Sequence, residues 1–161
     1  MRNADLVVIG VGNRFGRDAG VGPAVIDRLR SMHLDNAALA ESDGEAAALI
    51  MLWDQQRLAI LVDAMQADPP HPGRVHRLMV PRLAVERIRA VRAHAADVGN
   101  AVETARSTGR LPSRLIVFGI ETGDLGEGMG LSPAVQQAAD AVAAEIALEI
   151  GAFARQRQSA A

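Results

Sequence analysis

The chain has 161 residues and a formal net charge of −2, a size that fits one domain. It contains no cysteine and no lysine, which excludes disulfides, thiolate metal sites, cysteine nucleophiles and Schiff-base lysines. The charge gives no electrostatic footprint for nucleic acid, and no apolar run approaches the roughly 20 residues that span a membrane. We therefore expect one cytoplasmic domain over residues 1–154, followed by a flexible tail at 155–161.

Short runs of aliphatic and β-branched residues alternate with longer amphipathic segments along the chain. The short runs predict five strands, in chain order at 6–10, 37–40, 57–63, 74–80 and 114–120. The longer segments predict helices at 23–32, 42–54, 81–89, 94–108 and 133–153. We expect Ser42 to cap the second helix, with Glu45 three residues later. Ser132 should cap the last helix, with Pro133 at its first position.

This alternation predicts an α/β fold, a three-layer α/β/α sandwich around a mainly parallel five-stranded sheet. The segment 74–80 follows the strand before it after a short loop. A parallel crossover needs a dozen residues or more, so 74–80 is predicted to be antiparallel. Its imperfect alternation of apolar and polar residues is typical of an edge strand.

A glycine-rich loop runs from Gly10 to Gly22, directly after the first strand. It has two interpretations. One is a tight strand-to-helix turn, in which glycines allow backbone conformations that other residues avoid. The other is a dinucleotide site, but Phe15 stands where the full fingerprint requires its third glycine.

Three ionisable residues are candidates for chemistry, because sites in open α/β sheets form at the carboxyl ends of the strands. Asp63 ends the strand 57–63, although an aspartate there also suits a turn or a helix cap. Asp18 lies in the glycine-rich loop, where it could merely favour a helix N-terminus. His94 stands at a predicted helix start, a common place for a surface histidine. The remaining histidines are expected at the surface: His33, His71 and His76.

Taken together, these segments resemble the hydrogenase maturation proteases, which trim the C-terminus of nickel–iron hydrogenase large subunits. The resemblance covers nearly the whole chain, in family order and at family-like spacing. It starts at Gly10-Val11-Gly12-Asn13, Asp18 and Gly20-Val21-Gly22. It continues through Ser42-Asp43-Gly44, Leu61-Val62-Asp63-Ala64, His94, Arg110-Leu111-Pro112, Gly119-Ile120-Glu121 and Gly130-Leu131-Ser132-Pro133.

The resemblance implies a metal-contacting set of two carboxylates and one histidine, a donor set that suits nickel or zinc. The strand-end carboxylate falls on Asp63 and the histidine on His94. The remaining carboxylate is the second of an acidic pair in the family, and this chain has Ala19 there. Asp18, the first of that pair, is the expected substitute. Asp97 could supply another carboxylate about one helical turn from His94.

By this resemblance the protein is an endopeptidase that removes the C-terminal extension of a large-subunit precursor after nickel insertion. Its catalytic and metal-contacting residues would be Asp18, Asp63 and His94, the nickel would be that of the precursor, and no organic cofactor is expected. The partner would be that precursor, with no nucleic acid and no membrane. The alternative is a catalytically impaired family member that binds a hydrogenase subunit or a metal, because Ala19 replaces a carboxylate. A nucleotide-binding module is the third hypothesis, and metal-assisted and aspartic-type hydrolysis both remain open.

Overall fold

Five strands form one mixed sheet in the computed structural model, which describes residues 5–81 and 96–161. The strand order is β2-β1-β3-β5-β4. Four strands are parallel, and β4 pairs with β5 in the antiparallel direction at the edge. The predicted topology is therefore confirmed. The strands are β1 (Leu6–Val11), β2 (Ala38–Ser42), β3 (Leu58–Met65), β4 (Val75–Pro81) and β5 (Arg114–Glu121).

Helices cover both faces of the sheet, as the predicted three-layer sandwich requires. One apolar core lies between the sheet and the pair α1 and α4. The other lies between the sheet and the pair α2 and α3. The helices are α1 (Val21–Ser31), α2 (Ala46–Trp53), α3 (Ala96–Ser107) and α4 (Pro133–Ser159), with a short 3-10 helix at Arg17–Gly20. None of the helices in the described residues is long and apolar enough to cross a membrane.

Several predicted boundaries are wrong, each for a local reason. Ser42 is the last residue of β2, and Glu45 caps α2 instead by accepting hydrogen bonds from the N–H groups of Ala47 and Ala48. The last helix does not end near residue 153 but continues to Ser159, so most of the expected flexible tail is helical. The helix predicted at 81–89 lies outside the described residues, apart from the terminal residue of β4.

The directions of the helices show which elements begin at the carboxyl edge of the sheet and which end at the opposite edge. The loops that follow β1, β3 and β5 all leave from the carboxyl edge. Helix α4 starts after the loop that follows β5 and ends at the opposite edge, where Arg157 pairs with Asp5 at 3.1 Å. Helix α3 also ends at that opposite edge, because Arg110 just beyond it pairs with Asp54 at the end of α2. The first turn of α3 therefore points towards the carboxyl edge.

Two glycines allow α1 to begin directly against β1. A Cβ atom on Gly22 would lie 2.2 Å from the carbonyl oxygen of Val11 and 2.7 Å from that of Val62. A Cβ atom on Gly10 would lie 2.4 Å from the carbonyl oxygen of Gly22. Main chain thus contacts main chain at this point, and the glycines of the loop serve close packing.

The close approach predicts that Gly22→Ala lowers the free energy of unfolding by at least about 2 kcal/mol, because the added methyl group overlaps backbone atoms that cannot rotate away. Urea unfolding would measure this. The matched control is Gly151→Ala in α4, where a Cβ atom meets only the end of Arg155 at 3.4 Å. That variant should gain about 0.5–1 kcal/mol from helix propensity. Equal stability of the two variants would contradict the role assigned to Gly22.

Candidate functional site

Two loops lie side by side at the carboxyl edge of the sheet: the glycine-rich loop after β1 and the loop 122–132 after β5. The N–H of Arg17 donates to the carbonyl of Gly128 at 2.9 Å, and the N–H of Gly128 donates to the carbonyl of Phe15 at 2.8 Å. The Arg17 guanidinium also donates to the carbonyls of Glu127 and Met129. These bonds join segments more than 100 residues apart into one two-stranded border.

Asp18 lies beneath this border with no exposed surface. Its carboxylate accepts hydrogen bonds from the N–H groups of Gly123, Asp124 and Ser132, at 2.7–2.9 Å. The Ser132 hydroxyl donates a fourth bond at 2.8 Å. Burial alone would raise the pKa of Asp18, but the bonds from Ser132, Gly123 and Asp124 outweigh it and lower that pKa. The carboxylate is therefore held ionised and engaged by the loop 122–132.

Arg14 holds the other side of the glycine-rich loop. Its guanidinium donates to both carboxylate oxygens of Glu41, at the end of β2, and to both oxygens of Asp27 on α1. Arg30 bonds to the same two carboxylates. The hydrogen bond from Arg14 is the main reason why the pKa values of Asp27 and Glu41 are lowered. The loop is thus fixed at both sides by charged groups.

Asp63 lies inside β3, two residues before the strand ends, and is not the last residue of the strand as predicted. Its partner in the sheet is Gly119 of β5. Alternation along the strand places its side chain on the face covered by α2 and α3, since Ala59 and Leu61 belong to that core. Asp63 is half-buried, and its place two residues before the end of β3 puts it at the carboxyl edge.

Ala19 is partly exposed on the glycine-rich loop, between Asp18 and the start of α1. Its methyl group offers no metal ligand, so the position contributes only main-chain atoms to the edge. His94 and the side chain of Asp97 lie outside the described residues, and the expected approach of His94 to Asp63 stays a prediction. The first turn of α3, which begins two residues after His94 in the sequence, points towards this edge. Among residues 5–81 and 96–161, no three His, Asp or Glu side chains gather as a metal site would need.

Sequence reasoning missed a second buried carboxylate, that of Glu121 at the end of β5. Glu121 is 1% exposed, and its carboxylate contacts His76 Nε2 at 2.7 Å and the N–H of His71 at 2.7 Å. The hydrogen bond with His76 is the main cause of the lowered pKa of Glu121. His76 is therefore not the simple surface residue that was predicted. The sequence signals were that Glu121 is an acidic residue after an otherwise apolar run and that it belongs to the family-like segment Gly119-Ile120-Glu121.

The loop shape does not favour a nucleotide site. Phosphate binding at a helix N-terminus requires exposed N–H groups. The first residues of α1 are buried, and the N–H of Asn13 already bonds to the carbonyl of Ala19 above them. The turn interpretation of the glycine-rich loop therefore accounts for its geometry.

Asp18 yields a prediction about acid stability. Asp18→Asn should lower the free energy of unfolding by about 2 kcal/mol near neutral pH, because an amide cannot accept all four bonds. The folded-state pKa is lowered, so this contribution is complete above the ordinary Asp value of 3.8 and is lost as pH falls through the folded pKa. The difference in free energy of unfolding between the wild type and Asp18→Asn should therefore become smaller only in strong acid. Chemical unfolding across an acid series, with exposed Asp35→Asn as the control, would check this; a constant deficit would contradict it.

Comparison with known proteins agrees with this geometry. A family model described as hydrogenase maturation protease matches residues 24–149. The hydrogenase 2 maturation protease of Escherichia coli K12 is 28% identical over 136 residues, which is 81% of each chain. Among solved structures, the hydrogenase maturating endopeptidase HybD from E. coli superimposes with a TM-score of 0.71 at 23% identity, covering 96% of this chain and 93% of that one.

A hydrogenase 2 maturation peptidase from a Thaumarchaeota archaeon gives a TM-score of 0.67 at 26% identity, covering 91% of this chain and 97% of that one. At 23% identity, the likeness to the E. coli structure shows a shared fold. The match to the family model shows a likeness in sequence as well. The model match spans well over half of the chain, and the fold agrees with it. The chain belongs to the hydrogenase maturation protease family.

Proposed function

We propose that the protein is the endopeptidase that removes the C-terminal extension of a nickel–iron hydrogenase large-subunit precursor after nickel insertion. Family membership supports the peptidase class and this kind of partner. The observation that carries the proposal is Asp63, a half-buried carboxylate at the carboxyl end of the central strand β3. This is the edge at which α/β sheets carry their sites.

In this proposal Asp63 and His94 contact the nickel of the precursor, which belongs to the substrate. Asp18 was expected to complete the set. However, each of its carboxylate oxygens already accepts bonds from the loop 122–132, and its side chain is fully buried. A metal contact would require it to give up those bonds. We therefore assign Asp18 the task of holding the loop, and the site on this chain rests on Asp63 and His94.

Two routes of peptide hydrolysis are compatible with these residues. Substrate nickel can polarise the scissile carbonyl or lower the pKa of a bound water molecule. Alternatively, Asp63 accepts a proton from the attacking water as a general base. In both routes the water oxygen bonds to the carbonyl carbon, the C–N bond breaks and the leaving amine takes a proton.

Ala19 supports the alternative of an impaired family member that binds a hydrogenase subunit without cleaving it. The position contributes no carboxylate, and the described residues hold no group of three His, Asp or Glu side chains fit for a metal. This alternative keeps the same partner and the same edge of the sheet, so cleavage and binding must be measured separately.

The proposal predicts cleavage of a nickel-loaded, C-terminally extended large subunit. Intact mass should report loss of the extension with the wild-type protein. Asp63→Asn should be slower by at least about 100-fold, because it loses both the metal contact and the base. Asp35→Asn, on the exposed turn before β2, should match the wild type. An uncleaved precursor that still binds would favour the impaired alternative, and cleavage at full rate by Asp63→Asn would overturn the assignment of the site.

Ala19 provides a second prediction. Ala19→Asp should bind Ni²⁺ at least about tenfold more tightly than the wild type, since one missing ligand is restored in a partly exposed loop. Titration calorimetry at one pH would measure both affinities. Ala19→Asn is the matched control, because it has the same size without the charge. Equal affinities would mean that another carboxylate, such as Asp97, already fills the third place.

A further inference from the structure

His76, Gly119 and Asp63 form a row across three neighbouring strands. Gly119 of β5 is the register partner of Asp63 on β3 and of His76 on β4. Register partners project to the same face of a sheet, and neighbouring strands lie about 4.8 Å apart, so the Cα atoms of Asp63 and His76 are about 10 Å apart. No side chain rises from Gly119 between them. The sulfur of Met65 packs there instead, 2.8 Å from where a Cβ atom would lie.

Glu121 fixes the ring of His76 in this row. Its carboxylate accepts a hydrogen bond at 2.7 Å from Nε2. An ionised carboxylate can only accept, so Nε2 carries the hydrogen, which sets the tautomer of the neutral ring. The His76 side chain is 30% exposed, whereas Glu121 beneath it is buried. A buried carboxylate thus orients a reachable histidine.

The pair of His76 and Glu121 is not the sole attachment of the connection between β3 and β4. The connection between β3 and β4 is already tied to β5 by two main-chain bonds, from the N–H of Gly73 to the carbonyl of Glu121 and from the N–H of Glu121 to the carbonyl of Arg74. Burying a carboxylate is costly unless it is paired and hydrogen-bonded, so an apolar residue would be the simpler choice for a strand end. Glu121 also helps to hold the connection by accepting the N–H of His71, but that bond uses Oε2, and Oε1 is the oxygen that contacts His76.

We propose that His76, oriented by Glu121, is a further substrate-contacting residue, which binds the peptide segment around the scissile bond on the side of Gly119 opposite Asp63. This inference rests on the proposed function for the identity of the substrate. The peptide would contact Asp63 on β3 and His76 on β4, on either side of Gly119. His76 would contact the peptide through the exposed part of its ring, at a fixed distance from Asp63, and Glu121 would act as a positioning residue.

The test compares wild type with His76→Gln, Glu121→Gln and the double variant on the nickel-loaded precursor. His76→Gln keeps an N–H group that can reach Glu121 and should retain the wild-type melting temperature. It loses the ring, so kcat/KM should fall by at least about tenfold. Because Glu121 acts through His76, the double variant should be no slower than the slower single variant. The control is His33→Asn, at an exposed left-handed position that asparagine tolerates.

Binding of the precursor, measured on an immobilised surface, separates this inference from the proposed function. If wild type binds but does not cleave, cleavage fails as a function, and a tenfold weaker affinity of His76→Gln still supports the contact. Full activity or full affinity of His76→Gln would overturn the inference, and the contact between His76 and Glu121 would then be purely structural. The inference would also be overturned if the losses of kcat/KM or affinity were proportional to the drop in melting temperature across the variants. A wild type that neither binds nor cleaves would overturn both proposals.

Discussion

The buried carboxylate of Asp18 is the interaction on which the carboxyl edge depends. An ionised group without solvent must have its oxygens satisfied by the protein, and here all four donors come from the loop 122–132. That requirement brings Gly123 and Ser132 to the same point from opposite ends of the loop. It also places a negative charge beside the first residues of α4, where the helix dipole favours it.

A second carboxylate serves the neighbouring connection in a similar way. Glu121 accepts a bond from the N–H of His71 and so holds the segment between β3 and β4. The two connections that border the site are thus each attached to a buried acidic group, one on the glycine-rich loop and one on β5. Asp63 lies between them on β3. The border of the site is held on both sides because its two buried carboxylates are satisfied by main-chain and side-chain donors of the protein.

The fold could be predicted almost completely from the sequence, because strand and helix periods are local. Runs such as Leu6–Val11 and residues 58–62 of β3 are apolar throughout, as strands buried on both faces must be. The errors concern the ends of elements. Glu45 caps α2 in the place expected for Ser42, and α4 continues beyond its apolar stretch to Ser159, with Arg157 paired to Asp5. Family membership could also be predicted, because it depended on motifs in order along the chain.

The site could be predicted only in part, because its bonds join residues far apart in the chain. Asp18 meets Ser132 across 114 positions, and His76 meets Glu121 across 45. No local pattern shows that the carboxylate of Asp18 accepts hydrogen bonds from the loop 122–132. Nor does any local pattern show that His76, predicted at the surface, is oriented by the buried Glu121. Asp63 was found because a strand end in an apolar run is a local signal. The contact between Asp63 and His94 stays a prediction.

The long helix α4 separates the candidate site from the C-terminal end of the helix, which is useful for attaching labels. Its 27 residues span about 40 Å, from Ser132 beside Asp18 to the ion pair of Arg157 with Asp5 at the opposite edge. A tag, a surface linker or a fluorophore attached near Ser159 would therefore stand a helix length away from the candidate site. A folded subunit as bulky as a hydrogenase could then approach the carboxyl edge of a tethered molecule without meeting the support.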